Sequence, residues 1–292
     1  MVKAALLLLL CIAQLGAAAE AFAAALVVST GKEGGSYHGI GLRLTSALAA
    51  GHDTTVDVVT SVGSLENLER LDDPLSKVSV GLTQTDALNR YLGAHPGFAD
   101  EFIVLGDVGR ECVFIVAGRD GAIASGADLK RSAGYEISVG DPSSGAAVTW
   151  EYMSQLEPRF RNTAPAFVDV MEALLQIKVG GEFSSLKAAM LVQRPLRRSR
   201  AMQVVFDDPE AYRFVSITER DMENGRLPDG GVVYRFEKVT VGGKSRRRPI
   251  SVETICTQGL MLGAKQKLSV ELRGLLSQVL LESGSQIVGK DE

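Results

Sequence analysis

The chain alternates short apolar, β-branched runs with stretches whose apolar residues recur at helical spacing, and small polar residues collect at the junctions. Leu26–Ser29 (LVVS) passes through the glycine-rich Thr30–Ser36 into Tyr37, Ile40, Leu44 and Leu48, which predicts a strand, a loop and a helix. Thr55–Val59 leads into Thr60–Leu71, where Leu65, Leu68 and Leu71 share a face and Ser64 is placed as the N-cap. Val78–Leu82 leads through Thr83–Asp86 into a helix at Ala87–Leu92. Ile103–Gly106 and Cys112–Ala117 read as two buried strands, and Asp128–Lys130 starts a short helix. Ile137–Gly140 then turns through Asp141–Ala146 into a helix over 147–156.

Further on, Val168–Leu175 and Ser184–Ala188 read as helical, Ala189–Val192 as an apolar run, and Ala201–Phe206 and Tyr212–Val215 as strands. A short helix is expected at Glu219–Asn224, an exposed strand at Val232–Val241 and a return strand at Ile250–Cys256. Leu260–Lys267 and Val270–Leu281 read as helical, with a loose tail from Ser283. Strands alternating with helices at this spacing predict α/β architecture with mostly parallel sheets, whose ligands bind at the carboxyl ends of the strands.

Composition narrows the class. The 292 residues are 46% hydrophobic and 23% charged, enough apolar material for one or two cores, and two lobes are expected. Met1–Lys3, the apolar Ala4–Ala13 and the small residues Gly16–Ala19 have the layout of a secretory signal peptide, cleaved after Ala23; an uncleaved anchor is the alternative. Cleavage removes one base and one acid, so the net charge stays at −4 and no nucleic-acid partner is expected. The basic runs Arg194–Arg200 and Arg246–Arg248 read as a solvated face or exposed loop. Export would leave Cys112 and Cys256 in an oxidising compartment, where one disulfide is chemically allowed.

The candidate chemistry sits at the strand-to-helix turns. Each turns free backbone N–H groups and the positive end of a helix dipole toward one volume, which suits an anion. Enzymatic alternatives lack their residues. His38, His52 and His95 have no zinc-motif spacing, GKEGGSYHGIG lacks the Lys-Ser/Thr ending of a phosphate-binding loop, and no G-x-S-x-G elbow occurs. His38 is either a base beside the loop or a helix-surface residue. No catalytic residue, metal or cofactor is expected.

Four motifs stand in order: GKEGGSYHGIG, SVGSLENLERL, GLTQTDAL, and GDPSSGAAVTWE after ADLKRSAGYEISVG. Together they resemble the TAXI family of solute-binding proteins that serve tripartite, TRAP-type secondary transporters. The likeness is strongest from Val27 to Trp150 and departs after Leu156, where Lys187-Ala188-Ala189 replaces an acidic-alanine pair. It implies the type II periplasmic-binding-protein fold: residues 24–112 and 250–292 forming lobe 1, residues 113–249 forming lobe 2, and crossover strands between them. The ligand contacts it implies are Gly34, Gly35, Ser36 and Tyr37; Ser61, Gly63 and Ser64; Gln84, Thr85 and Asp86; Ser143, Ser144 and Gly145; and Gln193 with Arg194. In such a fold the chain crosses near Cys112 and returns near Cys256, which implies that the two cysteines are neighbours.

The residue types fit that expectation. Hydroxyls and backbone N–H groups satisfy a carboxylate without a full counter-charge. Tyr37 either covers the apolar part of a ligand or packs as a core aromatic, and Arg194 either pairs a carboxylate or lies on the surface. Asp86 either meets a ligand ammonium or serves the first turn of a helix. The expected function is a periplasmic, monomeric, non-catalytic subunit that binds a small organic carboxylate or amino acid, closes by hinge motion and delivers it to TRAP permease subunits. The alternatives are a binding protein of an ABC importer, a ligand sensor for a membrane receptor, and a serine-dependent enzyme.

Overall fold

The computed structural model describes residues 26–289 except 53, 132, 181–183, 196, 229 and 243–248. The expected signal peptide and Arg246–Arg248 lie outside the described residues. The architecture is two-lobed α/β, built on one curled, ten-stranded mixed sheet. Its strands are β1 (Leu26–Ser29), β2 (Val56–Val59), β3 (Val80–Gln84), β4 (Phe102–Gly118) and β5 (Tyr135–Ser138), followed by β6 (Thr163–Ala166), β7 (Leu186–Gln193), β8 (Tyr212–Val215), β9 (Arg235–Val241) and β10 (Ile250–Ala264). The helices are α1 (Ser36–Gly51), α2 (Ser64–Asp72), α3 (Thr85–Ala94) and α4 (Gly126–Leu129), then α5 (Gly145–Leu156), α6 (Val170–Val179), α7 (Arg200–Asp207) and α8 (Val270–Val288).

Strand order is β2-β1-β3-β10-β4-β7-β5-β6, with β8 on β4 and β9 on β10. One half of the sheet carries β1 parallel to β2 and β3, the other β5 parallel to β6 and β7. β4 and β10 belong to both halves. β10 pairs β9 over Ile250–Cys256 and β3 over Gly259–Gly263, so the passage between lobes falls inside the strand. β4 is likewise one strand of 17 residues where the sequence suggests two, because Gly109, with φ +98°, lets the ladder continue through an irregularity.

Cys112 and Cys256 face each other in register across β4 and β10 and form a disulfide. Their Cα atoms are 3.9 Å apart, well inside the roughly 7 Å reach of such a bond. Phe114 and Ile115, successive residues beyond it on β4, are both fully buried, each in a different core of the second lobe. The first lobe packs α1 and α8 on one side of the sheet through Ile40, Leu44, Leu276 and Val279, and α2 and α3 on the other through Leu68 and Leu88.

Several expected elements change type, each for a local reason. Ala201–Phe206 is helix rather than strand: Ser199 Oγ accepts from Met202 N at 3.3 Å, and Ala201, Met202 and Val205 form the buried face. Leu260–Ala264 continues β10, since pairing on both sides with β3 and β4 gives a run apolar on both faces. The expected helix at Ser184–Ala188 is the start of β7, and β6, with Pro165 on the sheet edge, gave no recognisable strand pattern. α8 runs on to Val288 because Ile287 is buried and Arg43 Nε donates to the Ile287 carbonyl at 2.7 Å. The N-cap of α2 is Gly63, with Ser64 the first helical residue. β9 is half inward, with Val239 and Val241 buried.

Because the bridge closes a sequence separation of 144 residues, the variant Cys112→Ser/Cys256→Ser is expected to lose about 2–4 kcal/mol of stability. Urea denaturation of the oxidised protein and the variant measures it, and reductant should lower only the former.

Candidate functional site

A cavity of about 620 Å³ opens between the lobes, at the carboxyl ends of β1, β3, β5 and β7. Five helices begin on its wall: α1 at Ser36 and Tyr37, α2 at Ser64, α5 at Gly145 and Ala146, α6 at Val170 and Met171, and α7 at Arg200 and Ala201. The first turn of each helix has backbone N–H groups without intrahelical acceptors, and the five dipoles reinforce one another there. Strand-end turns build this geometry. Gly34, with φ +72°, reverses the loop after β1, and Gly35 N closes it on the Lys32 carbonyl at 2.8 Å.

The lobes touch at the rim. A Cβ on Gly63 would lie 2.9 Å from both the Ser143 carbonyl oxygen and the Ser144 Cα, so the absence of a side chain permits the approach. Gly145 lies as closely against the Gln84 side chain. Arg197, from the loop after β7, donates across the cleft to Ser36 Oγ and to the Gly34 carbonyl. Gln193 Nε2 holds the Arg197 carbonyl at 2.8 Å and so orients that loop.

At the floor lies a buried acid on the crossover strand. Tyr37 Oη donates to Glu111 Oε2 at 2.9 Å. Burial raises the Glu111 carboxyl to about 7, against the lowering effect of hydrogen bonds from Tyr37 and Gln84. The Tyr37 phenol is pushed well up by burial and by Glu111, so it remains a donor. The pocket therefore offers N–H groups and the cations Lys32, Arg197, Arg198 and Arg200 at its walls, interspersed with the carboxylates Glu33, Asp141 and Asp169, the last of which caps α6, and an acceptor, negative once ionised, at its floor.

Of the residues expected from sequence, Gly34, Gly35, Ser36, Tyr37, Gly63, Ser64, Gln84, Ser144, Gly145 and Gln193 line this cavity. Ser144 caps α5, donating to the Val139 carbonyl at 2.9 Å and accepting from Ala147 N at 3.2 Å, and Ser64 donates to Gln84 Oε1 at 3.3 Å. Ser61, Thr85, Asp86, Ser143 and Arg194 stand outside the lining. Ser61 Oγ donates to the Thr30 carbonyl, and Thr85 Oγ1 to the Gln258 carbonyl at 2.6 Å. Ser143 contributes its carbonyl to the rim. Asp86 is fully buried, accepting from Thr149 Oγ1 at 2.6 Å and Tyr234 Oη at 2.8 Å, with burial raising its pKa. Arg194 follows Gln193 and turns to the other side, donating to the Val108 carbonyl at 2.6 Å in the space left by Gly109.

Glu111 and Arg197 are among the lining residues that sequence reasoning missed, with Lys32, Glu33, Asp141, Asp169, Arg198 and Arg200. A lone acid inside the apolar run GRECVFIVA was the signal for Glu111; Arg197 is hidden in a basic stretch that reads as a solvated face.

No protein-family model and no curated protein matches the chain. Solved structures do. The Xanthomonas citri protein XAC2383, bound to chloride ion, superposes with TM-score 0.52 at 13% identity over 92% of this chain and 87% of that one. The alkanesulfonate-binding protein SsuA from Xanthomonas axonopodis pv. citri, bound to MOPS, gives 0.51 at 14% identity over 90% and 73%. The periplasmic aliphatic sulphonate binding protein SsuA from Escherichia coli gives 0.50 at 14% over 90% and 72%. At these identities the likeness shows the two-lobed fold.

Glu111 makes stability depend on pH. Below its ordinary value of 4.5 the carboxyl is neutral in both states; from there to about 7 only the unfolded chain ionises, so rising pH favours unfolding. Wild type should lose roughly 3 kcal/mol relative to Glu111→Gln between those limits and nothing further above them. Urea midpoints of both proteins across that range check the sign.

Proposed function

We propose that the chain is the extracytoplasmic solute-binding subunit of a TRAP-type secondary transporter, exported to the periplasm and acting as a monomer. It takes a small organic carboxylate or amino acid in the cleft and delivers it to membrane permease subunits. The observation that carries this reading is the convergence of five helix N-termini, drawn from both lobes, on one cavity with Glu111 at its floor. A carboxylate would receive the N–H groups, and an ammonium, where present, would meet the Glu111 carboxylate.

Hinge closure follows from where the contacts come from. Ser36 and Ser64 belong to one lobe and Ser144 and Arg197 to the other, so a ligand held by both favours the closed form by the difference in its affinity for the two forms. The proposed lobe division lies at the Cys112–Cys256 bridge, where β4 and β10 exchange partners. Of the fifteen candidate ligand contacts, the ten that line the cavity form the proposed site together with Glu111 and Arg197. Ser61, Thr85, Asp86, Ser143 and Arg194 support it from behind. Among the described residues no helix is long and apolar enough to cross a membrane. The sulphonates named for the SsuA proteins are themselves small anions, and favour an anionic headgroup in this fold.

A thermal-shift screen of organic acids and amino acids tests the reading: a ligand at 100 times its Kd adds about 2.7 kcal/mol. Mass spectrometry of the solute that co-purifies from the native host identifies it. Gly63→Val, whose side chain would collide with Ser143 and Ser144, should then weaken that solute at least tenfold in calorimetry. Absence of a shift with every small anion and amino acid would sink the proposal.

A further inference from the structure

The floor of the cleft holds an acid without a counter-charge. Glu111 lines the cavity and is only 6% exposed, yet it makes no ion pair with any described residue. Two guanidiniums act on it from a distance and are turned elsewhere. Arg194 donates to the Val108 and Gly289 carbonyls at 2.6 and 3.4 Å, and Arg197 to Ser36 Oγ and the Gly34 carbonyl. The other charged side chains of the cavity, Lys32, Glu33, Asp141, Asp169, Arg198 and Arg200, stand on its walls, where Asp141 and Asp169 accept from Ser143 N and Met171 N at 3.0 and 2.8 Å.

The immediate partners of Glu111 are both neutral donors. Tyr37 Oη, from α1, donates to Oε2 at 2.9 Å. Gln84, at the end of β3, accepts from Ser64 Oγ through Oε1 at 3.3 Å, which leaves its amide N–H groups for Glu111. Such partners suit the ionised carboxylate, which only accepts, whereas burial favours the neutral acid. Asp86, in the first turn of α3, is close enough for its charge to oppose that of Glu111, and it already takes the hydroxyls of Thr149 and Tyr234. His38, beside Tyr37 on α1, uses Nδ1 to accept from Gly34 N at 3.4 Å. What the folded chain leaves out of this arrangement is a cation.

We infer that capture of solute in the cleft is coupled to release of a proton: the solute carries an ammonium group beside its carboxylate, and that group takes the place of the proton on Glu111. The inference rests on the cleft being the solute site and narrows its class to zwitterions. The O–H bond of Glu111 breaks, its proton passes to solvent, and the ammonium keeps its own protons and donates to the carboxylate. By linkage, affinity rises with pH until Glu111 is ionised in the empty cleft and is level above that. A solute whose carboxylate met Glu111 would do the reverse, because the acid would have to keep its proton in order to donate it.

Thermal shift of the protein with the standard amino acids, each set against the acid that lacks its α-ammonium (glutamate against glutarate, alanine against propionate), selects the pair to study. A pH-stat titration without buffer then counts protons, and calorimetry at pH 6 and pH 8 gives the affinities. About one proton released per amino acid bound at pH 6 is expected, with affinity about tenfold tighter at pH 8 and an at least tenfold preference over the deamino acid. Carbon-13 NMR assigns the source. The glutamate Cδ resonance that titrates near neutrality, missing from Glu111→Gln and from Glu111→Asp, should move to its ionised position when the amino acid is added at pH 6, in wild type and in His38→Asn alike. Proton uptake, a flat pH profile, tighter binding of the deamino acid, or a Glu111 resonance that stays protonated overturns the inference and leaves the cleft a carboxylate site. Binding of no member of the panel overturns both readings.

Discussion

The antiparallel pairing of β4 with β10 is the constraint on which everything else in this molecule rests. Two long strands run through both lobes side by side in one antiparallel ladder. At Cys112 and Cys256 the two are covalently tied where their outer partners change. Any rotation of the lobes must be absorbed near this point. Gly109 and Gly259, opposite each other in the ladder, are closely covered by neighbours: a Cβ on Gly259 would lie 2.9 Å from Val108 Cγ2 and one on Gly109 3.2 Å from Arg194 Nη2.

The same ladder explains the chemistry of the floor. A carboxylate at position 111 is placed by strand alternation, not by a loop, so its depth is fixed by the sheet, with the Tyr37 hydroxyl hydrogen-bonded to it. A buried acid is costly without partners. Here one phenol and one amide supply them without adding an opposing charge, which leaves the carboxyl free to respond to whatever enters the cleft.

Much of the fold was legible in the sequence because its signals are local. The run from Leu26 through the glycine loop to Leu48, and the three strand-to-helix turns after it, needed only periodicity and turn chemistry. Legibility failed where partners decide. Leu260–Ala264 looks helical by itself and is strand because β3 and β4 flank it; Ala201–Phe206 looks like strand until Ser199 is recognised as a cap. The site divides the same way. Serines and glycines at turns announced themselves, whereas Arg197 and Arg194 are three residues apart in one basic run, and only the fold decides which of them enters the cleft.

Asp86 carries a different consequence. It stands on α3 of the first lobe, yet the hydroxyls that satisfy it, Thr149 and Tyr234, belong to the second, and Asn89 one turn on donates to Tyr152 Oη at 2.8 Å in the same seam. A small relative slip would take from a fully buried carboxyl its two hydroxyl donors, leaving only the Ala87 N–H of its own helix, at a cost of roughly 1–3 kcal/mol for each group left unsatisfied. Intermediate lobe angles are thereby disfavoured relative to a fully engaged seam and a fully hydrated one. The two lobes are thus tied by buried polar groups that can be parted only together.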